Sequence, residues 1–139
     1  MQRIHSPNEE DTKDVEAKRD WVRNHFEADA RHKYETLEGK LQLLDTILSN
    51  EWIKPAETLK LQCLGITFGD ALAQKLGMHW VAVEDEYGRD PALRFENSSV
   101  LSFPLTAISK RIERGESVNV NVLFSAACEM LLEARQDEA

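Results

Sequence analysis

A chain of 139 residues, 42% hydrophobic and 30% charged, suits one folded domain whose core needs neither disulfides nor a metal, and excludes wholesale disorder. Its formal net charge is −8, distributed as −2 over residues 1–40 and −6 over residues 41–139, a field that repels phosphate backbones and disfavours nucleic acid as a direct partner. Such acidity suits a basic protein partner, and it equally serves plain solubility.

The leading segment MQRIHSPNEEDTKD has no apolar stretch of the secretory kind, and no apolar run is long enough for a membrane span. Cys63 and Cys128 stand singly in apolar surroundings, as small core residues in a reducing cytoplasm do. Ser6-Pro7 reads as an N-cap and first helical proline. The helix it opens carries a thin stripe of Val15, Trp21, Val22 and Phe26 and runs to about residue 32. Tyr34, Leu37, Leu41, Leu44 and Leu48 step by three and four along a second helix. Pro55 opens a third, which is apolar on most sides as far as Leu76 and is therefore the buried central one. Gly65 and Gly69 lie one turn apart on it and admit a close neighbour, and Gly77 stops it.

The period then changes. His79–Glu84 reads as a strand, Glu86–Pro91 as hairpin-loop residues, Leu93 and Phe95 as a returning strand, and Val100–Phe103 as a third. Leu105, Ile108 and Ile112 form a short helix after Pro104 and before Gly115. Val118, Val120 and Val122 alternate as a brief extended segment, after which Asn121 caps a last helix through Leu131. The predicted fold is α+β in a single domain. A helical arm (1–50) precedes an α+β core (52–135) with a three-stranded antiparallel meander (about 79–103) and two C-terminal helices.

Chemistry is sparse. No GxSxG elbow is present, and the GITFGD segment at 65–70 lacks the GK[ST] ending of a phosphate loop. His25 and His32 are two helical turns apart, too far for one zinc ion. No pattern calls for a cofactor or a metal. The acidic turn is the remaining candidate. Glu84, Asp85, Glu86 and Asp90, with Arg89, are placed to receive basic groups from a partner, although Arg89 and Arg94 are also near enough to engage them internally. Lys110, Arg111 and Arg114 suit the negative end of the short fourth helix.

The segments LGITFGDALAQKLGMHW, WVAVEDEYGRDPAL and FPLTAISKRIERGESVNV resemble a small bacterial family of uncharacterised domains. That family shows W-x4-D-x-Y-G and, later, P-x3-I-x-K-R. The resemblance covers about residues 52–123 and falls on Trp80, Asp85, Tyr87, Gly88, Pro104, Ile108, Lys110, Arg111 and Gly115. It implies a bacterial, cytoplasmic protein and no established activity. Read physically, these positions are structural: Gly88 supplies a positive φ, and Asp85 bonds either turn amides or Lys110 and Arg111. The leading expectation is a non-enzymatic protein-binding domain, most concretely an immunity or antitoxin-like protein capping a basic toxin, as monomer or homodimer. The alternatives are a small enzyme or ligand-binding domain using Asp85 and Glu86 with Lys110 and Arg111, and a homo-oligomer docked through its N-terminal helix.

Overall fold

The computed structural model describes residues 2–24 and 28–138. His25 and Phe26 lie outside the described residues. The chain order is β1 (Arg3–His5), α1 (Glu9–Arg23), α2 (Ala28–Lys33), α3 (Leu37–Ser49), α4 (Thr58–Leu76), β2 (His79–Asp85), β3 (Gly88–Arg94) and β4 (Leu101–Ser102). A 3-10 turn (Pro104–Thr106), α5 (Ser109–Glu113) and α6 (Val120–Glu138) follow.

The mixed α+β architecture is as predicted, but among the described residues the sheet has four strands rather than three, ordered β1-β2-β3-β4 and antiparallel throughout. The added strand is β1, whose Arg3, Ile4 and His5 pair with Glu84, Val83 and Ala82. Nothing in so short and polar a segment announces a strand, because its extended form comes from bonding to β2 rather than from local preference.

α1 begins at Asn8, not at Ser6. Asn8 Oδ1 accepts from the Asp11 amide at 2.8 Å, and Asp11 Oδ2 accepts from the Asn8 amide at 2.9 Å, a reciprocal capping box. The helix closes at Arg23, with Asn24 as its C-cap, short of the expected residue 32. α1 packs against α4 and buries Val15 and Val22, so its apolar stripe is used inside the molecule. α3 starts at the cap Thr36, whose hydroxyl accepts from the Gly39 amide at 2.9 Å. α4 opens at Thr58 rather than at Pro55, since the intervening residues form a turn in which Glu57 accepts from the Lys54 amide.

Leu61, Leu64, Ile66, Phe68 and Leu72 of α4 are all but fully buried, and α1, α3, α5, α6 and the 3-10 turn all pack on this helix. A methyl group built on Gly65 would lie 2.3 Å from the Leu105 carbonyl oxygen, so the 3-10 turn rests directly on the α4 backbone. Gly77, at φ 73°, ends the helix in the left-handed conformation.

β2 and β3 form a tight hairpin. Only Glu86 and Tyr87 turn the chain, and Gly88 to Pro91, expected in the loop, are already paired with Asp85 to Ala82. Pro91 is tolerated because β4 pairs only with Leu93 and Arg94, leaving this part of β3 an edge. The last helix begins at Val120 and is capped by Asn119, which accepts from the Val122 amide at 3.1 Å, rather than by Asn121. Val120 is thereby the first buried residue of a helix and not part of an extended segment. Cys63 and Cys128 are free, buried thiols, and burial pushes both up from their ordinary values. No described helix is long and apolar enough to cross a membrane.

Candidate functional site

The hairpin places the sequence-predicted acidic residues at one end of the sheet, where they have different roles. Asp85 Oδ1 accepts from the Tyr87 amide at 2.8 Å and so caps the turn. Gly88, at φ 136°, takes a conformation that side chains avoid. Arg89 grips Asp11 of α1 with two bonds, 2.9 and 2.7 Å, and lies 3.8 Å from Glu84. The bonds from Arg89 hold the Asp11 carboxyl below its ordinary value. Glu84 is also 3.7 Å from His5 on β1. The tip is thus tied to both α1 and β1.

Glu86 and Asp90 are exposed, and their carboxylates make no ion pair or hydrogen bond among the described residues. Between them Tyr87 is 90% exposed. A tyrosine normally buries much of its ring, and this one extends from a braced turn into solvent.

Of the two alternatives for Asp85, the bond from a turn amide is the one formed, and among the described residues none from Lys110 or Arg111 reaches it. Arg111 donates instead to the Ala107 carbonyl at 3.0 Å, within its own helical segment, and Lys110 is exposed. The basic helix and the acidic turn are therefore not joined by a bond. Arg94 donates to the Ser98 carbonyl at 2.6 Å and does not serve the tip. Arg114 faces Glu116 at 3.6 Å.

A second polar cluster lies inside the molecule, around Asp70 of α4. Arg19 of α1 binds its two oxygens at 2.7 and 2.8 Å, the Trp80 indole N–H donates at 3.0 Å, and the Tyr34 hydroxyl donates to the same carboxylate. The side chain of Asp70 is only 10% exposed. Burial alone would raise its pKa. The bonds from Arg19 and Tyr34, the Arg19 charge and the Trp80 bond outweigh that cost, and the carboxyl titrates below its ordinary value. Tyr34 is held above its ordinary value by burial, then by the Asp70 charge and the bond to it. Arg19 is raised by its bond to Asp70.

Two cations flank the Tyr34 ring, Arg23 at 5.1 Å and Lys40 at 5.2 Å from its centroid. Burial lowers the pKa of Lys40, against the pull of Asp70 and with the repulsion of Arg19 and Arg23. Its ammonium donates to Gln74. In the sequence Asp70 is visible only as the last residue of GITFGD, a segment without the ending of a phosphate loop. The available signal was a carboxylate on a helix apolar nearly all round, which demands a buried partner. The Trp80 ring lies against Gly69, where an added methyl group would meet it at 2.6 Å. Pro104 is buried against the same face.

The two groupings differ chemically. Asp70 accepts four bonds from three donor residues, which occupy both oxygens and, by lowering its pKa, make it a weak base. The hairpin tip keeps its carboxylates and an aromatic ring facing outwards.

Residues 40–124 match a family model described as a domain of unknown function, DUF3806. A solved structure from Bacteroides thetaiotaomicron VPI-5482 is similar with a TM-score of 0.73 at 15% sequence identity, covering 91% of this chain and 47% of that one. This chain therefore spans about half the length of that protein, and the likeness is one of fold alone. No curated protein matches the chain.

Proposed function

The chain belongs to the DUF3806 family, and from that premise we propose that it is a non-enzymatic protein-binding module whose acidic hairpin docks a basic partner. The observation that carries this reading is Tyr87, 90% exposed on a two-residue turn and flanked by the unpaired carboxylates of Glu86 and Asp90. Aromatic residues on a rigid mount lose little freedom on binding, and tyrosine is among the residues that dominate interface energies. The bonds of Asp85 to the Tyr87 amide and of Arg89 to Asp11 supply the mount. The net charge of −8 adds steering of a basic partner and repulsion of acidic competitors.

In its most concrete form the molecule is an immunity or antitoxin-like protein that caps a basic toxin. The enzyme alternative loses its proposed constellation, since Asp85 is engaged by the turn and no bond brings Lys110 or Arg111 to it. Against the oligomer alternative, α1 buries Val15 and Val22 in its own core.

The test is affinity capture using the product of the adjacent gene as prey. Capture that weakens steeply with salt supports the reading. Failure to bind at low and at high salt counts against it.

A further inference from the structure

Between α1 and β3 runs a cleft of about 210 Å³ that the hairpin partly closes. Its floor is apolar: Val15 of α1, Ile66 of α4, Pro91 of β3 and Leu105 of the 3-10 turn. The bidentate Arg89–Asp11 pair forms one wall. Asp14 and Asp90 line the cleft from α1 and β3 respectively, and neither carboxylate makes a hydrogen bond or ion pair among the described residues. Lys18 is the one lining cation outside the Arg89–Asp11 pair.

We propose that this cleft is a socket for one arginine or lysine side chain of a partner protein. The inference deepens the proposed function and rests on it for the chain that bears the cation. Size supports it, because the space is below the range of about 300–1,000 Å³ that whole small-molecule ligands occupy, and is of the order of one long side chain. Chemistry supports it as well: the methylene stem of arginine or lysine covers an apolar floor while its charged head reaches carboxylates at the edge. Three lining carboxylates face two lining cations, so the excess charge is negative, as it is for the whole molecule. Position completes the argument. Asp90 stands three residues from Tyr87, about 10 Å along a strand, so one partner surface spans the aromatic tip and the socket together.

A probe without a partner protein separates the two claims. Titration of the ¹⁵N-labelled chain with N-acetyl-arginine N-methylamide is expected to shift the amides of residues 11–18 and 89–92. The double variant Asp14→Asn/Asp90→Asn changes two exposed, unpaired groups and keeps the fold, which its own spectrum verifies. It is expected to bind the probe about tenfold more weakly or worse. Lys18→Gln removes a repelling charge and is expected to bind more tightly. The socket is overturned if those amides do not shift, if the double variant binds unchanged, or if N-acetyl-glutamate N-methylamide binds better than the arginine probe. Should the arginine probe bind as expected while the adjacent gene product is not captured, the socket's chemistry stands and the choice of partner falls.

Discussion

Arg19 on α1 and Asp70 on α4, 51 positions apart in sequence, form a two-bond ion pair that joins the N-terminal helix to the central one. The pair is largely shielded from water, so removing Asp70 leaves Arg19 with only the more exposed Glu16, at 2.6 Å, to balance its charge. Asp70→Ala is expected to cost about 3–5 kcal/mol of unfolding free energy, measured by urea denaturation. The double variant Arg19→Met/Asp70→Ala is expected to be less destabilised than the sum of the singles, by roughly 0.5–3 kcal/mol. Additive effects would mean that the two residues act independently.

The same carboxylate sets a pH dependence. Its folded-state pKa lies below the ordinary value of 3.8, so the stability it contributes is present above that value and is lost as pH falls through the folded pKa. Tyr34 has the opposite sense. Its folded pKa is raised above the ordinary 10.0, so its contribution is present below that value and is lost at more alkaline pH. Urea midpoints plotted against pH should fall at both ends. Asp70→Asn should flatten the acid limb relative to the wild type, because other carboxylates titrate in both proteins and only Asp70 differs.

Close packing on α4 predicts a graded response at its glycines. In Gly69→Ala the new methyl group meets the Trp80 ring at 2.6 Å and Pro104 Cγ at 2.7 Å, side-chain atoms that can shift slightly, and about 1–3 kcal/mol should be lost. In Gly65→Ala it meets the backbone carbonyl oxygens of Leu105 at 2.3 Å and Pro104 at 2.6 Å, which cannot yield without moving the 3-10 turn. Gly65→Ala should therefore be the more damaging, and thermal denaturation of the two variants would reveal a reversed order.

The far end of α6 is clamped to the loop between β3 and β4. Glu138 accepts from the Ser98 hydroxyl at 2.6 Å, from the Ser99 amide at 2.7 Å, and from the Ser99 hydroxyl. These bonds hold its carboxyl below the ordinary value. In Glu138→Gln, hydrogen exchange should quicken in residues 97–100 and in the last turn of α6 while the centre of α4 stays protected. Unchanged exchange in that loop would show that the clamp does not restrain it.

Much of this architecture was legible in the sequence. The stripe of α3, the all-round apolarity of α4 with Gly77 behind it, and the change of period at His79 each follow from side-chain spacing alone. β1 was not legible, because three residues at a sheet edge take their shape from β2. The helix starts at Asn8 and Asn119 lie two residues after and before the residues read as caps. Ser6 (with Glu9) and Asn8 (with Asp11) both have a carboxylate three residues on, and only the Asn8–Asp11 pair exchanges bonds in the fold. The turn is legible in the sequence only at Glu86 and Tyr87, since Gly88 to Pro91, read as loop, are strand, and the division of labour among the acidic residues is not legible. Arg89 finds Asp11 from a distant helix, which no local pattern reveals, and the unpaired remainder is defined only after that pairing. Asp70 was legible as a misfit on a buried helix, although its donors, drawn from α1, the segment before α3, and β2, were not.

The exposure of Tyr87 allows a clean test of the hairpin tip as the proposed docking surface. Substitution there should leave stability within about 0.5 kcal/mol. Calorimetric titration of the adjacent gene product into wild-type and Tyr87→Ala chains measures the consequence directly. The account predicts binding by the wild type and a loss of about 2 kcal/mol, roughly 30-fold in affinity, on removal of the ring. Equal affinities for the two chains, or no binding by the wild type, would contradict it.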